Sequence, residues 1–217
     1  LHSLSMRRHR YLALSALTVA LAVGLQGCPA IIAGGGVAAV SSLEDRRTTG
    51  TQLDDNAIES RAASRIGERL GERAHVNVTS FNRAVLLTGE VWDDATRAEV
   101  EKIVAGVPNI RSVTNEVQVS GLSSATSRAN DTALTARVKG RFINVQGLNP
   151  LHVKVVTEAG VVYLLGVVTE TEAETATELA RTTGGVRKVV KVFEYCKSTE
   201  EPCKPPAQPP AAKSPRA

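Results

Sequence analysis

Aromatic side chains are nearly missing: Phe, Trp and Tyr together make up 3% of the 217 residues. A chain so poor in large rings, and rich in Val, Ala and Thr, suits small β-rich units with modest cores. Histidine is also scarce. His2 and His9 lie near the start, and neither His75 nor His152 has a second His, Cys or carboxylate at ligand spacing, so no metal site is expected. There is no Gly-x-Ser-x-Gly elbow, and Gly34-Gly35-Gly36 lacks the following Lys and the strand–helix setting of a phosphate loop. These absences exclude the familiar hydrolase and nucleotide chemistries; neither catalysis nor a cofactor is expected. A strong charge imbalance is lacking too. The formal net charge is +4, but three arginines and no acid fall in the first 27 residues, which leaves 23 basic against 22 acidic side chains beyond them. A net charge of +1 there disfavours a general nucleic-acid binder.

What is present begins with Arg7, Arg8 and Arg10, then an uncharged run from Tyr11 to Gly24, then Leu25-Gln26-Gly27-Cys28. Met6 stands directly before the arginines. A short basic segment, about a dozen apolar residues and a small residue before the cut form a secretory signal. The run is shorter than the ~20 helical residues that span a bilayer. Leu-x-Gly-Cys at the cut resembles a bacterial lipobox, which implies a lipidated Cys28 as the new N-terminus and an exported, membrane-anchored chain. Pro29 rather than Asp follows, a pattern that resembles outer-membrane sorting.

Downstream, an internal repeat organises the chain. Asp55-x-Ala57-Ile58-x-x-Arg61 returns as Asp131-x-Ala133-Leu134-x-x-Arg137, Val85-Leu86-Leu87-Thr88-Gly89 as Val162-Tyr163-Leu164-Leu165-Gly166, and Ile110-Arg111-Ser112-Val113 as Val186-Arg187-Lys188-Val189. The expected organisation is a signal over 1–27, a lipidated tether over 28–52, modules over 53–120 and 129–197, a small-residue linker over 121–128, and a Pro-rich disordered tail over 198–217. The tether either holds the first module off the bilayer or packs on it.

Each module reads as helix, strand, strand, helix, strand. Asp54 and Asp55 are good N-cap types for the first helix, which sets Ile58, Ala62, Ile66 and Leu70 on one face; its counterpart sets Leu134, Val138 and Phe142. Turns at Asn82-Arg83 and Glu158-Ala159-Gly160 make antiparallel hairpins. Thr169-x-x-Glu172 is a capping box opening the second helix of module two. That helical crossover returns the last strand parallel to the second. The fold class is α+β: two tandem αββαβ modules, each a three-stranded mixed sheet with two helices on one face. Units of about 65–70 residues have marginal cores, so the copies are expected to support each other.

This order, with Gly89 and Gly166 closing the second strands and Gly185-Val186-x-x-Val189 entering the last, resembles the BON domain; two copies behind a lipobox resemble the dual-BON outer-membrane lipoproteins of Gram-negative bacteria. The resemblance implies binding of anionic phospholipid such as phosphatidylglycerol or cardiolipin on the periplasmic side, a role in envelope integrity and, in some relatives, recruitment to the division site. The alternatives are an interaction module that grips another envelope protein or peptidoglycan, and a purely structural protein.

Charge layout separates them. Residues 54–77 mix Asp54, Asp55, Glu59, Glu68 and Glu72 with Arg61, Arg65, Arg69 and Arg73, whereas residues 128–154 set Arg128, Arg137, Lys139, Arg141 and Lys154 against Asp131 alone. The contrast favours a lipid surface in module two, on an outward stripe of Ala133, Arg137, Gly140 and Arg141, where Arg137 and Arg141 would meet two phosphates. In the lipoproteins it resembles, an aromatic stands at the place of Ala133; its absence here makes the contact mainly electrostatic. Finally, Cys196 and Cys203 flank six residues, and an exported chain allows them a disulfide or leaves them two thiols in the tail.

Overall fold

The computed structural model describes residues 45–121, 123–143 and 145–204. Cys28, the signal and most of the tether and tail lie outside these residues. Within them, four α-helices and two mixed sheets alternate. Module one runs α1 (Thr49–Leu70), β1 (Ala74–Phe81), β2 (Ala84–Val91), α2 (Asp94–Ala105), β3 (Ser112–Asn115) and β4 (Gln118–Val119). Module two runs α3 (Ala125–Ile143), β5 (Val153–Glu158), β6 (Val161–Val168), α4 (Glu170–Arg181) and β7 (Lys188–Tyr195).

The periodicities of the sequence account for these elements. Ile58, Ala62, Ile66 and Leu70 are the apolar residues that α1 buries, and Leu134, Val138 and Phe142 those of α3. In each module the first two strands pair antiparallel and the last lies parallel to the second. The hairpins turn through positive φ at Asn82 and Arg83, and at Ala159 and Gly160, the two-residue turn whose twist matches the strands. Gly89 and Gly166 are required by close approach: a Cβ at either would stand 2.1 Å from the carbonyl oxygen of His75 or 2.3 Å from that of His152. The Thr169–Glu172 capping box forms.

Three expectations need correction. The first helix opens at Thr49 with Thr48 as its cap, so Asp45–Gln52 belong to the folded body rather than the tether. Residues from Ala125 on belong to α3, not to a linker. And Asp55 caps no helix: it sits buried beneath the first hairpin, accepting from the Ser80 hydroxyl at 2.6 Å, from the N–H groups of Asn82 and Arg83 at 2.9 and 2.7 Å, and from Arg47 at 2.9 Å. Asp131 holds the second hairpin the same way, accepting from Ala159 and Gly160 N–H at 2.9 and 2.8 Å. This is the physical content of the repeated Asp-x-Ala motif: a carboxylate satisfies turn donors that no strand can reach.

The strands bury both faces. Val85 and Leu87 of β2 face the helices of module one, and Val162 and Leu164 of β6 face those of module two. Between them, Leu86 looks the other way and joins Phe81, Tyr163, Leu165, Val167 and Cys203 in a third cluster shared by the two sheets. Each module thus completes its marginal core against the other. Polar bridges ring this contact: Lys154 to Glu59 at 2.9 Å, Asn77 to Glu158 at 3.1 Å, and Glu194 to Asn82 and Arg111.

Candidate membrane-facing surface

α3 presents the most cationic exposed face that the sequence pointed to. With Leu134, Val138 and Phe142 turned to the sheet, Ala133, Ala136, Arg137, Lys139 and Ile143 are exposed and Gly140 is half-buried. Arg137 and Lys139 have no hydrogen-bond or ion-pair partner among the described residues. The Arg137 guanidinium lies against the Gly184-Gly185 loop, where a Cβ at Gly185 would meet Nη2 at 3.4 Å. Beside it Arg187 packs over Gly160 and donates to the Ala159 carbonyl at 3.2 Å.

Arg141, one turn on from Arg137 and on the same flank of α3, is already engaged. Its Nη1 donates to the Leu179 carbonyl at 2.7 Å and to the Thr182 and Thr183 hydroxyls at 2.8 and 3.2 Å, closing the C-terminal end of α4. The last carbonyls of a helix are unsatisfied and carry partial negative charge, so a nearby guanidinium is drawn to them rather than left in water. Lys154, too, is spent on Glu59 and on the Ser80 carbonyl at 3.3 Å. The basic excess of module two is therefore partly structural. Arg137 is the charge left outward on the α4 side of α3, and Lys139, two residues on, stands on the opposite flank of the helix with Ile143.

Sequence reasoning missed Ile143, which is 70% exposed at the end of α3. The signal was there: Ile143 follows Lys139 by one turn and sits one residue beyond the buried stripe, so it must leave the core. With Leu151 it edges a groove of about 490 Å³ that also takes in Asp45, Arg47, Lys139 and Phe142.

Three ionisable groups are strongly conditioned by the packing. Burial alone would push the Glu172 carboxyl up, but hydrogen bonds from His152, Arg46 and the Thr169 N–H outweigh it and hold the group well below the usual carboxylate range. Glu158 is driven up by burial, against the Asn77 hydrogen bond, with Glu90 and Asp131 adding like charge. Burial between the sheets pushes the Tyr163 phenol up to about 12, with the Glu116 and Glu158 charges adding. Glu90 Oε2 and Thr88 Oγ1 are buried on the same side of β2 without a hydrogen-bond partner among the described residues. Among the described residues no group of three or more His, Cys, Asp or Glu could hold a metal ion, and no helix is long and apolar enough to cross a membrane.

Cys196 and Cys203 are joined, Cα to Cα 5.9 Å, and Cys203 is buried in the cluster shared by the sheets.

Residues 54–121 and 130–197 each match the BON domain family, and the chain is 35% identical over 182 residues to "Outer membrane lipoprotein DolP" of Haemophilus influenzae, an alignment covering 83% of this chain and 94% of that protein. The chain belongs to the dual-BON-domain outer-membrane lipoproteins. It is also 31% identical over 153 residues to the "21 kDa hemolysin" of Actinobacillus pleuropneumoniae, covering 70% of this chain and 79% of that one. A third relative, "Osmotically-inducible protein Y" of Escherichia coli K12, is 28% identical over 144 residues, with 64% of this chain and 72% of that one covered. None of the three bears an enzyme's name. The matched BON segments begin close to Asp55 and Asp131, so the turn-holding carboxylate falls at the head of each BON module.

Proposed function

We propose that this chain is a non-enzymatic outer-membrane lipoprotein that is anchored through Cys28, faces the periplasm, binds anionic phospholipid head groups through α3 of module two, and so supports the integrity of the envelope. One observation carries the reading: Arg137 and Lys139, on the two flanks of the exposed side of α3, have no hydrogen-bond or ion-pair partner among the described residues, and the apolar Ile143 lies one turn beyond Lys139. Arg137 and Lys139 supply attraction for phosphate. Each basic side chain near an anionic lipid surface contributes ~1 kcal/mol, so two hold weakly alone. A tether through Cys28 raises the effective concentration enough to make that attraction count. Ala133 and Gly140 let the helix backbone approach the head groups closely.

The test is sedimentation of the soluble chain, residues 29–217, with phosphatidylglycerol or cardiolipin vesicles against phosphatidylcholine vesicles. Binding should be confined to the anionic vesicles, fall steeply with salt, and be lost in the Arg137→Glu/Lys139→Glu double variant. If that variant binds as the parent does, the lipid face is elsewhere. If the parent binds no vesicle but retains an envelope protein, the interaction-module reading replaces this one. Loss of the Cys28→Ala protein from outer-membrane fractions tests the anchor.

A further inference from the structure

The chain holds a single tryptophan, and the fold does not bury it. Trp92 follows Val91, the last core residue of β2, and precedes Asp93, the cap of α2; it is 61% exposed. Its ring lines a shallow hollow with Arg73, Ala74 and His75, and its Nε1 donates only a long bond, 3.5 Å, to the Glu72 carbonyl. Packing therefore does not explain the residue. A ring with one apolar body and one N–H is the side chain best suited to the boundary between hydrocarbon and water.

Its place in the fold says which boundary. β1 crosses β5 in the opposite sense: Ser80 lies by Lys154 and Asn77 by Glu158. Continuing along β1 from Asn77 to His75 leads past the end of β5 to the second hairpin turn. That turn is held by Asp131 of α3 on one side and covered by Arg187 on the other. Trp92, across from the start of β1, therefore stands at the end of the molecule that carries Arg137 and Arg187, with exposed Lys188 beside Arg187 and Arg73 beside the ring. The exposed residues of α3 include no aromatic.

We infer that the lipid contact is shared between the modules: α3 and Arg187 supply charge, and Trp92 of module one inserts its ring at the head-group level of the same anionic bilayer. This rests on the lipid-binding reading above. The positive charge of Arg137, Arg187 and Lys188 selects an anionic lipid surface as the occupant, Arg73 beside the ring being offset by Asp93.

The residue is its own reporter, since no other tryptophan contributes to the emission. The full mature chain carrying Cys28→Ser is titrated with vesicles containing phosphatidylglycerol, following sedimentation and tryptophan fluorescence together. The inference requires a blue shift on binding, quenching by lipids brominated near the head group, and about a tenfold loss of affinity in Trp92→Ala. Because the ring is exposed, Trp92→Ala should melt as the parent does, and the parent's fluorescence needs no variant at all. Sedimentation without a blue shift overturns the inference while leaving the α3 reading standing. Failure to sediment at all overturns both. A blue shift that grows with protein concentration in the absence of vesicles assigns Trp92 to a contact between copies and overturns it as well.

Discussion

Arg46 and Glu172, 126 positions apart, form a two-pronged ion pair, Nη1 to Oε2 at 2.6 Å and Nη2 to Oε1 at 3.1 Å, with both side chains 10% exposed. Arg46 also donates to the Val167 carbonyl at 2.9 Å, while its neighbour Arg47 turns to Asp55 and lies over the Phe81 ring of module one. Two adjacent arginines at the head of the body thus fasten one module each.

Glu172→Gln should therefore be costly. It would leave the Arg46 guanidinium buried without its counter-charge, which destabilises by about 3 kcal/mol, measurable by urea unfolding. The pH dependence has a definite sign. Because Glu172 is held below its ordinary value, its stabilisation is complete above the ordinary carboxylate range, about pH 4.5, and fades as pH falls below it. The variant should lack that part of the acid loss. A cost under about 1 kcal/mol would show that the pair does not fasten the segment.

The two hairpin carboxylates should differ in weight. Asp55 accepts from three donors of the hairpin and from Arg47, whereas Asp131 accepts from two N–H groups. Asp55→Ala should cost about 4 kcal/mol and Asp131→Ala about 2 kcal/mol, compared by chemical denaturation. Equal costs would mean that the Arg47 contact and the Ser80 hydrogen bond add nothing.

Glu158→Gln should stabilise. The carboxyl is buried and raised, so the native state favours its protonated form, and stability falls as pH rises from the ordinary value through the raised one. Glutamine keeps an acceptor for Asn77 and carries no charge. Melting at pH 8 should rise by a few degrees, roughly the effect of 1 kcal/mol, and the gain should vanish near pH 4. A variant that melts lower at pH 8 would refute the burial penalty assigned to this group.

Arg137 and Arg141 should separate binding from stability. Arg141→Ala removes the hydrogen bonds that close α4 and should cost about 1–2 kcal/mol in unfolding while the folded protein still binds anionic vesicles. Arg137→Ala should melt within about 0.5 kcal/mol of the parent and bind more weakly. The reverse pattern would restore Arg141 to the lipid face.

The Cys196–Cys203 bridge should survive extraction under alkylating conditions as a chain without modified thiols at either position, read by mass spectrometry. Reduction should lower stability by about 2 kcal/mol, the range for a short loop. Two alkylated cysteines would refute the bridge.

Much of this architecture is legible in the chain because it is written in short-range periodicities. Every fourth residue from Ile58 to Leu70 must face one way on a helix, the residues of β2 and β6 must alternate, and the repeat doubles each inference. The likeness of Leu25-Gln26-Gly27-Cys28 to a lipobox and the Cys196–Cys203 spacing are patterns local in the same sense. What only the tertiary structure decided is where polar side chains spend themselves. Asp55 looks like a helix cap until the hairpin 25 residues on brings three donors to it. Arg141 looks like a twin of Arg137 until α4 ends beside it, 38 residues away, with its carbonyls open. Leu86 and Tyr163 alternate outward from their own helices, and only the second sheet makes that direction interior. Helical and strand phase are properties of neighbours in sequence, so a sequence determines them alone. The partner of a charged group is a property of neighbours in space, set when two modules close on each other and the strongest unsatisfied donors and acceptors find one another.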